Sequence, residues 1–116
     1  YTWAWGKLAV GESDPLADYT EQYLYTFNLH LARRIDLYSE MAKQYQLDGF
    51  LYHSNRSCKY ISQDIPLLRA AVAERTGVPG VILEADHNDP RLYTMESLER
   101  QIESFLDLLT APKGTG

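Results

Sequence analysis

At 116 residues and 13.3 kDa the chain is sized for one domain with a core of its own. Its 45% hydrophobic and 23% charged residues give the balance of a soluble globular protein. A net charge of −5 has the wrong sign for a nucleic-acid binder, and no apolar run approaches the ~20 residues that span a bilayer. Tyr1-Thr2-Trp3-Ala4-Trp5 has neither the basic nor the apolar region of a signal peptide. The missing initiator Met reads as a piece of a longer polypeptide. Cys58 is the sole cysteine, so neither an internal disulfide nor a Cys-x-x-Cys metal spacing exists, and a reducing cytoplasm is the default location.

Residues 1–13 contain Gly6 and Gly11 and no sustained period, and read as an irregular lead-in. Asp14-Pro15 opens a helix, because Asp14 can accept from a free backbone N–H and Pro15 needs no donor at the first position. Leu16, Tyr19, Tyr23, Leu24 and Phe27 follow at helical spacing, with a break expected at Thr26 and Asn28. Ile35, Tyr38, Met41, Ala42 and Tyr45 mark the apolar face of a second helix over 30–45. The tyrosines of residues 19–45 read as core and interface aromatics. Asp48-Gly49 turns the chain into a strand over 49–53. Leu67, Leu68, Ala71 and Val72 carry a third helix that ends at Gly77, with Pro79 preventing its resumption. Residues 80–84 form a second strand. Thr94 caps a last helix whose buried face is Met95, Leu98, Ile102, Phe105, Leu106 and Leu109, and residues 111–116 form a tail.

The order is therefore α-α-β-α-β-α, an α/β domain over 14–110 with a parallel, Rossmann- or flavodoxin-like sheet. A strand–helix–strand unit makes parallel neighbours that end at the same sheet edge. Two polar loops then lie side by side. One runs His53-Ser54-Asn55-Arg56-Ser57-Cys58-Lys59, and the other Glu84-Ala85-Asp86-His87-Asn88-Asp89-Pro90-Arg91.

Cys58 sits in a polar loop between Arg56 and Lys59, whose charges favour a thiolate, so a functional thiol weighs evenly against a buried structural one. His53 is a candidate base for it, or a hydrogen-bonded residue ending the strand. Asp86, His87 and Asp89 offer donors for a metal, or else Asp86 and Asp89 cap backbone N–H groups. Arg91 pairs with one of these carboxylates or binds an anion. No Gly-x-Gly-x-x-Gly, Walker, Gly-x-Ser-x-Gly or His-Glu-x-x-His pattern occurs.

These two loops resemble the C-terminal domain of the 2-hydroxyacyl-CoA dehydratase and benzoyl-CoA reductase family. Supporting matches lie at Asp14-Pro15-Leu16, Tyr45 to Gly49, Thr76-Gly77-Val78-Pro79 and Arg100 to Phe105. The resemblance implies a two-subunit, iron–sulfur enzyme fed single electrons by a separate ATP-dependent activator protein. Dehydratases of this type remove water from (R)-2-hydroxyacyl-CoA through a ketyl radical to give the enoyl-CoA. It also implies a 4Fe-4S cluster held by three cysteines per subunit, with Cys58 as one ligand. Ser54, Asn55, Arg56, Ser57 and Lys59 would then shape the cluster pocket. Glu84, Asp86, His87, Asp89 and Arg91 would line the adjoining edge, orienting those groups or meeting the acyl-CoA. The sequence departs from the family where Lys59 is followed by Tyr60-Ile61-Ser62 in place of Pro-Tyr-Ser. It also carries one cysteine where a cluster needs three, so on this reading the piece alone is inactive. A benzoyl-CoA reductase-type or electron-relay subunit is the alternative within the family. A non-catalytic interaction module, or a plain thiol enzyme, is the alternative outside it.

Overall fold

The computed structural model describes residues 14–24 and 30–111. The lead-in over 1–13, the break at Thr26 and Asn28, the side chains of Tyr23, Leu24 and Phe27, and residues 112–116 lie outside that description. The elements are α1 (Pro15–Leu24), α2 (Leu31–Gln44), β1 (Phe50–Asn55), α3 (Lys59–Ser62), α4 (Ile65–Thr76), β2 (Gly80–Ala85), a 3-10 turn (Pro90–Leu92) and α5 (Met95–Thr110). The expected α/β class is present. The order gains two short pieces, α3 and the 3-10 turn, each too brief for hydrophobic periodicity to reveal.

The two strands pair in parallel, with Phe50 opposite Gly80 and Asn55 opposite Ala85. Backbone pairing continues past both ends of β1, where Phe50 N–H donates to Pro79 and Arg56 N–H donates to Ala85. β1 is two residues longer at its end than its apolar run suggests. Ser54 and Asn55 are therefore buried strand residues rather than loop residues. Ladder partners on β2 outweigh their low strand preference.

One sheet face carries the core. Phe50 and Tyr52 pack with Ala42 of α2 and with Ile65, Leu68 and Val72 of α4. Tyr38 stacks on Tyr52 with 5.7 Å between ring centroids and tilts against Phe50 at 5.6 Å. Leu68 and Val72 are completely buried, and each such side chain contributes about 1.5–3 kcal/mol. At the core's rim Arg34, also buried, reaches Asp64 at 2.5 Å, so its charge is matched. Leu51 faces the other side of the sheet and is 56% exposed.

Several expected core positions face solvent instead. Leu67, Met95 and Leu106 are more than half exposed, because α4 and α5 each bury a narrow stripe, represented by Leu68 and Val72 on α4 and Phe105 on α5. Leu16 and Tyr19 are exposed on α1. Tyr45 falls just past α2 and is exposed as well, so among the described residues Tyr38 is the early tyrosine in the core packing.

The local ends follow known chemistry. Asp14 Oδ1 accepts from Leu16 and Ala17 N–H at 3.1 Å each, and Thr94 Oγ1 accepts from Ser97 N–H at 3.2 Å. Gly77 closes α4 at φ 71°. α2 ends at Gln44, close to the expected position, in a local backbone motif. Leu47 N–H donates to Ala42 and Gln46 N–H to Lys43, a Schellman closure with Gln46 in the left-handed position at φ 50°. The chain then bends at Asp48 and enters β1, as the Asp48-Gly49 pair suggests. Gly49 is needed for packing, since a Cβ there would stand 2.7 Å from Phe105 Cζ.

Three outcomes follow from this packing. Leu68→Ala should cost about 2–5 kcal/mol in denaturant unfolding, the range for emptying a fully buried leucine site. Gln46→Gly should raise stability by about 0.5–1 kcal/mol, because glycine removes the left-handed penalty at an exposed position. Burial, reinforced by Tyr38, pushes the Tyr52 hydroxyl up to about 12. Its folded pKa lies above the unfolded one, so its stabilisation is complete below pH 10 and should disappear towards pH 12. A phenolate absorbance titration run beside a melting series checks this.

Candidate functional site

The site grows out of the parallel register. Because β1 and β2 end together, the segment after Asn55 and the segment after Ala85 meet at the carboxyl edge. Asp86 ties them. Its Oδ2 accepts from Ser57 N–H at 2.9 Å and also from the Ser57 hydroxyl. Its Oδ1 accepts from Asn88 N–H at 2.8 Å and Asp89 N–H at 3.2 Å. The side chain is buried, and every one of these donors favours the carboxylate. The Ser57 hydroxyl leads in holding Asp86 below the ordinary carboxylate value.

Cys58 lies one residue beyond that anchor, partly buried, as the residue preceding α3. Its backbone is fixed on both sides. Cys58 N–H donates to Asn55 at 3.0 Å, and its carbonyl accepts from Ser62 N–H at 3.1 Å and Ser62 Oγ at 2.7 Å. The Ser62 hydroxyl also reaches the Asn55 carbonyl. The thiol itself makes no capping hydrogen bond to α3, which leaves it for other chemistry. Arg56 and Lys59 flank it as exposed residues. Asn55 Oδ1 is buried and accepts no hydrogen bond among the described residues, an unusual condition for a buried polar atom.

The remaining expected residues divide into three groups. Ser54 and Glu84, opposite each other in the register, line a cleft of about 510 Å³ with Ser62, Tyr93, Ser97 and Gln101. His53 is not the terminal residue of the strand, and its ring stands edge-on to His87 with centroids 5.0 Å apart. Burial, together with His87, lowers the His53 pKa, while Asp86 opposes the shift. Asp89 and Arg91 pair with each other in a bidentate contact of 2.8 Å per bond, and Asp89 Oδ1 also accepts Arg91 N–H at 3.0 Å. That guanidinium is already committed to a neighbouring carboxylate. The backbone-capping alternative for Asp86 and Asp89 is the one observed. Among the described residues no group of three or more His, Cys, Asp or Glu is placed to hold a metal ion.

Sequence reasoning missed Ser62, Tyr93 and Gln101. Ser62 had a visible signal, since it stands four residues after Cys58 and can bond back to its carbonyl. Tyr93 and Gln101 had none, because they reach the cleft through the packing of the 3-10 turn and α5 beside β2.

A family model described as the 2-hydroxyglutaryl-CoA dehydratase D-component matches residues 1–109. The chain belongs to that family. The B subunit of benzoyl-CoA reductase from Thauera aromatica is 31% identical over 99 residues, which is 84% of this chain and 23% of that protein. The alpha subunit of lactoyl-CoA dehydratase from Anaerotignum propionicum is 27% identical over 93 residues, 80% of this chain and 21% of that protein. The alpha subunit of (R)-2-hydroxyisocaproyl-CoA dehydratase from Clostridioides difficile is 30% identical over 86 residues, 74% of this chain and 21% of that protein. The chain thus spans less than a quarter of the length of these dehydratase-family relatives. None of the described helices is long and apolar enough to cross a membrane.

The site's charges set its response to acid. Asp86 and Asp89 titrate below their ordinary 3.8 in the fold, so their stabilisation is present above that pH and lost as pH falls through the lowered values. His53 is likewise lowered from 6.5, so its contribution is complete above pH 6.5 and declines as pH falls. Urea midpoints measured from pH 8 to pH 3 should therefore fall in two stages. His53→Gln should flatten the upper stage alone.

Proposed function

We propose that this chain is the cluster-binding C-terminal part of a 2-hydroxyacyl-CoA dehydratase subunit, with Cys58 as one ligand of a 4Fe-4S cluster. The observation that carries this reading is the presentation of Cys58. Its backbone is fixed by Asn55 and Ser62 at the carboxyl edge of a parallel pair, while its thiol is not spent on capping. A rigid backbone carrying an uncommitted thiol is what a cluster ligand requires. Membership of the dehydratase family supports the same assignment.

The residues fit one corner of such a site. A single thiolate is present, so the other protein ligands come from elsewhere in the full-length polypeptide. The unsatisfied Asn55 amide lies within the same segment, and a side-chain amide is a suitable neighbour for cluster sulfur. Arg56 and Lys59 supply positive charge beside a site that must hold its thiolate deprotonated. When bound, the cluster supplies single electrons to the acyl-CoA substrate. Ser54, Glu84, Tyr93 and Gln101 form the cleft in which the substrate's polar groups would be oriented. Asp86 keeps the two loops in register with each other.

On this reading the protein works beside a homologous second subunit and receives electrons from an ATP-dependent activator in the cytoplasm. The isolated piece is inactive because its ligand set is incomplete. A second reading, part of an aromatic-ring reductase, is favoured by the 31% identity to the Thauera aromatica benzoyl-CoA reductase chain. Both readings require the same thiolate.

The test uses the full-length subunit purified without oxygen, wild type beside Cys58→Ser. The wild type should hold about four irons and equivalent sulfide, and the variant should lose most of both while keeping its far-UV circular dichroism. Equal iron in the two proteins removes Cys58 from the ligand set. Turnover of 2-hydroxyacyl-CoA against aromatic acyl-CoA then separates dehydratase from reductase.

A further inference from the structure

We propose that Asp86 is a positioning residue for Cys58, acting through Ser57 to fix where the thiolate stands and holding one negative charge against the residue next to it. The proposal rests on the reading of Cys58 as a cluster ligand.

The connections are unusually direct. Ser57 adjoins Cys58 in the chain, and both its backbone N–H and its hydroxyl donate to Asp86 Oδ2. Asp86 is in turn held by Asn88 and Asp89 N–H on Oδ1 and by its position immediately after β2. The carboxylate therefore relays the position of β2 to the residue next to the ligand. Strand pairing alone ends one step earlier, at the bond from Arg56 to Ala85. Among the described residues, Asp86 supplies the hydrogen bonds that hold Ser57 in this loop. The same contact has an electronic consequence. Net charge and hydrogen bonding around the thiolates are two of the levers that set a cluster's reduction potential. Asp86 occupies the Ser57 N–H, which then cannot donate to sulfur, and adds an anion. Both effects favour a low potential, as a donor of electrons to an acyl-CoA needs.

An amide cannot replace this carboxylate. An asparagine side chain has one oxygen to offer backbone N–H donors on two sides, so Asp86→Asn must abandon either the Ser57 N–H or the Asn88 and Asp89 pair. The experiment has two arms on the full-length subunit, comparing wild type, Asp86→Asn, Ser57→Ala and, as a remote control, Asp36→Asn, whose carboxylate pairs with Arg75 on the surface. In the metal-free protein, alkylation of Cys58 is followed by peptide mass spectrometry. Asp86→Asn should accelerate it about tenfold, the scale of losing a charge-assisted hydrogen bond. Ser57→Ala should give a smaller rise, and Asp36→Asn none. In the anaerobically loaded protein, Asp86→Asn should move the cluster midpoint potential to more positive values, a change that mere loss of fold stability does not produce. Unchanged alkylation and unchanged potential in Asp86→Asn overturn the proposal. Should Asp86→Asn fail to fold, Ser57→Ala decides, and a Cys58 rate equal to wild type overturns it. Faster alkylation in Asp86→Asn, where the wild type binds no iron, upholds the positioning role and overturns only the cluster assignment.

Discussion

The parallel pairing of β1 with β2 is the constraint on which everything else depends. Six consecutive residue pairs, from Phe50 opposite Gly80 to Asn55 opposite Ala85, decide which side chains enter the core and which reach the edge. A slip of one residue would turn Phe50, Tyr52 and Ser54 away from α2 and α4 and bring Leu51 and His53 inward. It would also separate Ser57 from Asp86. Core stability and site geometry are thus one property of this sheet, fixed together by the aromatic cluster of Tyr38, Phe50 and Tyr52.

Much of this frame was legible from residue order. The strand–helix–strand spacing was enough to place the Cys58 and Asp86 loops together, because parallel neighbours must end at the same edge. The Asp14, Gly77 and Thr94 helix boundaries followed from capping chemistry that acts over three or four residues. The carboxyl-rich second loop was open to two interpretations, and the structure selects backbone capping for both Asp86 and Asp89.

What the sequence concealed has physical reasons. Helical periodicity marks an apolar stripe without telling how wide a stripe its neighbours will cover, so Leu67, Met95 and Leu106 looked like core and are not. Ser54 and Asn55 look like loop residues by type, yet the ladder on β2 extends far enough to claim them. The left-handed residue after α2 is Gln46, and nothing in a glutamine signals that conformation. Gly49 follows the expected bend at Asp48, and it is also the bare surface against which Phe105 lies, a second role that residue order does not signal.

The cleft beside the Cys58 segment has two walls of different origin. Ser54, Ile82 and Glu84 belong to the strand pair, with Ser62 and Pro66 beside them from α3 and α4, whereas Leu92, Tyr93, Ser97, Leu98 and Gln101 come from the 3-10 turn's far end and the first half of α5. The first wall belongs to the strand pair whose register brings Ser57 to Asp86. The second is attached to a helix with a narrow buried stripe, and its cleft residues are not among those fully buried. Substitutions can therefore accumulate on the helical wall while the strand wall stays still. Such a division lets a lineage retune what the cleft admits without rebuilding the strand pair on its other side.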